Sequence, residues 1–143
     1  MSKFQKMMMR GVGRLNIALY RASGGRVMGK VRGMPLLLLT VAGRKTGKEH
    51  TTPVAYFEDG GRLIVIGSAG GAPAEPQWFR NLREAERAVV EIKVKRVPVT
   101  VAIVSAAEHP RLWKELIAKA PFFAKYQEKV EREIPMATLT PAP

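Results

Sequence analysis

Six consecutive residues, Gly43, Arg44, Lys45, Thr46, Gly47 and Lys48, gather what an anion needs. Two glycines let the backbone turn sharply and approach a ligand closely. Exposed amides in such a turn form an anion nest, to which Arg44 and Lys45 add charge and Thr46 a hydroxyl donor. The run is not a GxxxxGK[ST] phosphate loop, because that spacing is absent and no helix is expected to follow it. A solvated basic hairpin turn is the alternative reading. A second stretch, Gly67, Ser68, Ala69, Gly70, Gly71, Ala72 and Pro73, has side chains small enough to leave room for a flat ring or a phosphate, or is an ordinary loop. In a third, Trp78 and Phe79 offer ring walls and Asn81 polar contacts, unless the aromatic pair is core. In a fourth, Phe123 and Tyr126 lie three apart on one helical face and could line an acceptor pocket, with the Tyr126 hydroxyl as donor; core packing is the alternative for Phe123.

Other chemistries lack their residues. The 143-residue chain has no cysteine, which removes disulfides, thiolate metal sites and a cysteine nucleophile and fits a cytosolic protein. His50 and His109 stand far apart in no metal-ligand spacing, so no metal is expected. No Ser-His-Asp set or paired carboxylates are apparent, and redox chemistry with a cofactor needs neither. No apolar run reaches the roughly 20 residues of a membrane span, and no secretion signal is visible. The net charge of +12 is lopsided: residues 1–50 hold eleven Lys and Arg against the single acid Glu49. Such an end implies an anionic partner. Nucleic acid is disfavoured, because the charge concentrates on one helix without interleaved aromatics.

That helix is expected over residues 3–21. Phe4, Met8, Val12, Leu15 and Leu19 fall on one face, and Lys3, Lys6, Arg10, Arg14 and Arg21 on the other. Gly24 and Gly25 stop it, and a Gly- and Arg-rich link runs to Gly33. From Pro35 the pattern becomes β: strands over residues 35–42, 50–57 and 62–68, with a hairpin turn at 58–61. Residues 77–86 read as a short helix. Residues 89–94 and 97–105 read as a hairpin joined through Lys95 and Arg96. A helix over about 107–119 is broken by Pro121, continues to about Arg132, and precedes a closing strand over 134–140. Pro53, Pro98 and Pro135 belong at strand starts, edges or bulges. The expected fold is α+β, a closed or partly closed antiparallel barrel with appended helices. Residues 1–33 form the helix and link and 34–143 the barrel, one domain overall.

Taken in order, residues 36–71 (LLLLTVAGRKTGKEHTTPVAYFEDGGRLIVIGSAGG), 76–82 (PQWFRNL) and 121–135 (PFFAKYQEKVEREIP) resemble the deazaflavin-dependent nitroreductase family, whose members use reduced coenzyme F420. The resemblance runs from about Asn16 to the C-terminus. It implies a split β-barrel related to the FMN-binding barrels, and the reduction of quinones or, in some members, nitroaromatic prodrugs. It also implies cofactor contacts at Arg44, Lys45 and Thr46, at His50, Thr51, Thr52, Pro53, Val54 and Ala55, at Ile66, Gly67, Ser68 and Ala69, and at Gln77, Trp78, Phe79 and Asn81. Phe123 and Tyr126 would form the substrate pocket, with Tyr126 and Ser68 as the catalytic donors. Relatives often carry arginine at the His50 position, lysine at Ala69 and tyrosine at Phe123, so this chain has fewer tail-binding cations and one fewer phenol. An FMN-dependent barrel enzyme and a non-catalytic deazaflavin-binding protein are the alternatives. The amphipathic helix adds an expectation of peripheral binding to an anionic membrane at the inner face of the cell, where isoprenoid quinones reside; a helix whose apolar face caps the barrel while its basic face is solvated is the alternative.

Overall fold

The computed structural model describes the backbone of residues 3–143 and the side chains of residues 13–143. Seven strands and four helices follow one another along the described residues. Helix α1 (Lys3–Ala22) leads into β1 (Lys30–Val31), β2 (Met34–Ala42), β3 (Glu49–Asp59) and β4 (Arg62–Ile66). Helix α2 (Gln77–Glu84) precedes β5 (Arg87–Ile92) and β6 (Lys95–Ile103); α3 (His109–Lys119) and α4 (Phe122–Glu128) precede β7 (Met136–Pro141). The strand order is β1-β2-β3-β4-β7-β6-β5, and β2 also pairs with β5 through Leu38, Leu39 and Thr40, so β2 to β7 close into a six-stranded antiparallel barrel. Closure removes the edges that an open sheet would expose.

Alternation along the strands makes two cores. Leu37, Leu39, Val41, Val54, Tyr56, Val65, Val90, Val99 and Leu139 fill the barrel, and α2 lowers Phe79 and Leu82 into it. Residues of the other parity, Phe57, Ile64, Ile66 and Met136, meet Leu112, Leu116 and Phe123 of α3 and α4 outside it. Asp59 and Glu108, with Arg62 and Arg111, tie the β3–β4 hairpin to α3. Both carboxyls are held below their ordinary range, Asp59 chiefly by Arg111 and Glu108 chiefly by Arg62. His109 is buried with its Nε2 2.8 Å from the Ile134 carbonyl oxygen, a satisfied core histidine.

Strand β3 carries the feature that matters most for function. It pairs with β2 along residues 49–55 but with β4 only along residues 56–59. Its first seven residues therefore have one ladder instead of two, and the barrel is split there. Pro53 sits in this one-sided stretch, where a residue without an N–H is tolerated. Pro98 lies just before the β6–β7 ladder begins, and Pro135 just before β7.

Three local expectations are corrected. The β5–β6 turn falls at Lys93 and Val94, not Lys95 and Arg96, because Ile92 pairs with Lys95 and Lys93 adopts φ +57°. The buried Tyr20 hydroxyl accepts the Lys93 N–H at 3.0 Å and lies 3.1 Å from the Leu36 carbonyl oxygen, holding that turn against α1. Helix α4 ends at Glu128 instead of Arg132. The Gln127 side chain donates to the Arg132 carbonyl and accepts the Ile134 N–H, which turns the chain away. The link contains a strand, β1, closed by a two-residue hairpin with Arg32 at φ +48° and Gly33 at φ +85°. Positive φ at both central residues matches the twist of flanking strands.

Helix α1 also docks differently from the wheel. Tyr20, outside the apolar stripe, is its anchor, and Arg21 is held by Glu91 through two bonds of 2.8 and 3.0 Å. The stripe residues Leu15 and Leu19 remain exposed. The side chains of Phe4, Met8, Val12, Lys3, Lys6 and Arg10 lie outside the described residues.

Candidate active site

Three clefts follow the stretch of β3 that lacks a β4 partner. The first, about 440 Å³, lies between the turn of residues 43–47 and α2 and is lined by Arg44, Lys45, Thr46, His50, Thr51, Thr52, Gln77, Trp78 and Asn81. The second, about 220 Å³, begins at Pro53, Val54 and Ala55 and is closed by Ile66, Ser68, Ala69, Trp78, Phe123 and Tyr126, joined by Phe122 and Arg32. Trp78 walls both. The third, about 920 Å³, lies between β3 and α1, with Arg14 and Arg21 facing residues 48–53. A strand with one bare edge, bordered by cations at one end and aromatic rings at the other, has the layout of a site for a flat molecule with an anionic tail.

The cationic cleft is built differently from a cluster of free positive charges. Asn81, buried on α2, accepts both the Arg44 backbone N–H at 3.1 Å and its Nη1 at 2.8 Å. Arg44 Nη2 donates to Gln77 Oε1 at 2.9 Å. Arg44 is thus a strut between turn and helix, while Lys45, Lys48 and His50 stay exposed. Thr46 accepts the Lys48 N–H at 3.2 Å and shapes the turn.

At the aromatic end, Phe122 and Phe123 stack with centroids 4.6 Å apart, and Tyr126 stands edge-on to both at 5.7 and 5.6 Å. The loop after β4 supplies Ser68. Its residues Ala69, Gly70 and Gly71 all have positive φ. At Gly71 a Cβ would lie 3.0 Å from the Tyr126 carbonyl oxygen and 3.2 Å from its Cα, so only glycine fits where loop meets α4. Two of the expected cofactor contacts, Phe79 and Gly67, sit behind the cleft walls. Phe79 is fully buried in the barrel core, and Gly67 lies beneath it, where a Cβ would come within 2.8 Å of the Phe79 ring. Both shape the floor and do not line a cleft.

The chain fits the family model described as F420H(2)-dependent quinone reductase over residues 12–141. It belongs to that family. The F420H(2)-dependent quinone reductase Rv1261c of Mycobacterium tuberculosis (strain ATCC 25618 / H37Rv) is 34% identical over 131 residues, which span 89% of this chain and 88% of the relative. Among solved structures, an F420-H2 dependent reductase (FDR-A) is 30% identical with a TM-score of 0.66, covering 73% of this chain and 93% of that one. A FAD-binding protein from Mesorhizobium loti is 12% identical with a TM-score of 0.54, covering 88% and 90%, a likeness of fold alone. The split barrel and the oxidoreductase class follow from membership. The family is defined by its use of reduced coenzyme F420, and the residues present fit that group: the exposed Lys45 borders one cleft and aromatic rings the next.

Sequence reasoning missed three residues that the fold brings to this site. Phe122 is four residues from Tyr126, a spacing as neighbourly on a helix as the three residues that singled out Phe123. Arg132 donates to the carbonyl oxygens of Gly67, Ser68 and Ala72 at 3.1–3.3 Å and clamps the Ser68 loop from beneath. Arg32 reaches the site only because β1 folds back on β2.

Proposed function

We propose that the protein reduces a quinone with reduced coenzyme F420, binding cofactor and acceptor side by side along the bare edge of β3. The observation that carries this reading is the junction of a lysine-bordered cleft and an aromatic cleft at Trp78. When bound, the reduced deazaflavin supplies a hydride to the acceptor. Lys45 and Lys48 hold the anionic tail. Residues 50–55 present backbone and small side chains to the ring, and Ile66, Ser68, Ala69, Gln77 and Trp78 frame it. Phe123 and Phe122 exclude water from the acceptor. Tyr126, assisted by Ser68 or water, offers a proton to the acceptor oxygen. A flat nitroaromatic would occupy the same pocket, and turnover with one tests that extension.

Fluorescence titration with deazaflavin, FMN and NADPH tests the cofactor assignment, and steady-state turnover with menadione tests catalysis. Deazaflavin is expected to bind in the micromolar range or tighter and the others far more weakly. Tighter binding of FMN would sink the assignment, and deazaflavin binding without turnover would leave a carrier instead of an enzyme.

The exposed apolar side chains favour a second element of the proposal. Among the described residues, every large one is Leu15, Leu19, Val27, Met28, Val31 or Val94, and Val94 meets Gly24. Arg26, Lys30 and Lys93 share a cleft with Met28. Met28 and these three cations join apolar insertion to positive charge, each basic residue contributing about 1 kcal/mol near anionic lipid. Residues 1–33 would then act as the attachment of a protein working at the inner face of the cell membrane. Because Tyr20 anchors α1, the informative variant keeps it: Leu15→Ser with Leu19→Ser should abolish co-sedimentation with anionic vesicles and spare turnover with soluble menadione. An intact protein that never sediments with such vesicles at low salt removes this element.

A further inference from the structure

Among the described residues, Arg32 is the only charged side chain lining the aromatic cleft. It stands on the tight β1–β2 turn, within a basic and glycine-rich link that otherwise reads as a tether. Its Nη1 donates to the Tyr126 hydroxyl oxygen at 2.9 Å, and its guanidinium carbon lies 4.4 Å above the centre of the Phe122 ring. It pairs with no carboxylate among the described residues, and its Nε and Nη2 make no hydrogen bond among them. A guanidinium stacked on one ring and bonded to a phenol is held in a fixed plane, with donors left over on its free edge. Because Tyr126 accepts from Arg32, its own hydroxyl proton is free to be donated into the cleft.

We infer that Arg32 and Tyr126 together form an oxyanion site at the mouth of the acceptor pocket, and that this site selects acceptors carrying an ionised hydroxyl beside the reducible carbonyl. This deepens the proposed function and rests on it. An acceptor that gains one hydrogen and two electrons from the reduced donor is left with one oxygen as an anion, and a proton from Tyr126 or water completes the hydroquinone. A fixed cation beside that oxygen stabilises the charge as it develops. The same cation attracts a quinone that is already an anion, such as 2-hydroxy-1,4-naphthoquinone at neutral pH. Menadione has the same rings without the ionised group.

The test compares these two compounds. Equilibrium dialysis against the full-length protein holding oxidised deazaflavin, read by the absorbance of each free quinone in the protein-free chamber, gives affinity without turnover. Steady-state kinetics with the reduced cofactor then gives kcat/KM for each. Arg32→Gln should weaken the hydroxyquinone by roughly tenfold in both measurements, the lower end for a charge-assisted bond at an accessible site. Menadione affinity should change less than about twofold, which also shows the pocket intact, while its kcat/KM should fall by less than that of the hydroxyquinone. Lys129→Gln, which removes an ammonium 5.7 Å from the centre of the Tyr126 ring, should leave the preference in place. Equal losses for the two compounds in Arg32→Gln, no loss for either, or an equal effect from Lys129→Gln would overturn the oxyanion site alone. If neither compound binds the wild-type protein, the acceptor pocket itself is misassigned and both readings fall.

Discussion

Replacing Arg132 by methionine keeps the aliphatic stem and removes every donor from beneath the Ser68 loop. The guanidinium makes four bonds of 3.1–3.3 Å, from Nε to Ala72, from Nη1 to Gly67, and from Nη2 to Ser68 and Ala72, with a longer one to Ala74 at 3.5 Å. A hydrogen bond involving a charged partner is worth about 1.5–3 kcal/mol. The sum over four overstates the loss, because the side chain is only half-buried and water replaces the donors once they leave. A net destabilisation of about 2–3 kcal/mol is expected, which for a chain of this length lowers Tm by roughly 6–9 °C. The damage should be local first. The Gly71 and Ala72 amides, bonded to the Ser68 and Ala69 carbonyls at 2.9 and 3.1 Å, should exchange with deuterium faster than the barrel strands. The KM for the quinone should rise several-fold, since Ser68 and Ala69 wall the acceptor cleft. Arg132→Lys should recover only part, because an ammonium cannot reach the three best-bonded carbonyls in one plane. A Tm within about 1 °C of the parent, together with unaltered exchange at Gly71 and Ala72, would refute the clamp.

Lys45→Ala should weaken deazaflavin binding by roughly tenfold and leave an analogue without the anionic tail unaffected. Arg44→Ala should weaken both forms alike, because it releases the turn from Asn81 and Gln77; titrations with the two ligands separate the roles. Tyr126→Phe should lower quinone turnover by on the order of tenfold while deazaflavin affinity stays within about twofold, and unchanged turnover would remove Tyr126 from the mechanism. Arg111 and then Arg62 depress the Asp59 carboxyl, so its contribution to stability is complete above the ordinary aspartate pKa and is lost only as pH falls through the depressed one. Thermal melts should therefore show Asp59→Asn destabilised equally at about pH 7 and pH 5, the gap to the parent narrowing only below about pH 4.

Whatever depends on neighbours in sequence was legible from sequence. The apolar run of β2, the alternation of β4 and the paired glycines at 60 and 61 made the strands and hairpin readable, since period and turn chemistry are local properties. The order of the motifs pointed to the family and, through it, to Trp78, Ser68 and Tyr126. Decisions that depended on which groups meet across the fold were left to the tertiary structure. The wheel of α1 placed Leu15 and Leu19 on its apolar face, yet Tyr20 is the residue buried, because its hydroxyl finds Lys93 and Leu36 across 73 and 16 residues. Arg44 looked like a free cation until Asn81 and Gln77, more than 30 residues away, supplied its acceptors. Phe79 had the composition of a ring wall, but the direction in which α2 enters the barrel turns it into the core and leaves Trp78 to face the cleft. Arg32 and Arg132 stand 100 residues apart at the two ends of the same site. No local pattern marks either one, because a guanidinium's role is set by the carbonyls, phenol and ring that the closed barrel brings to it.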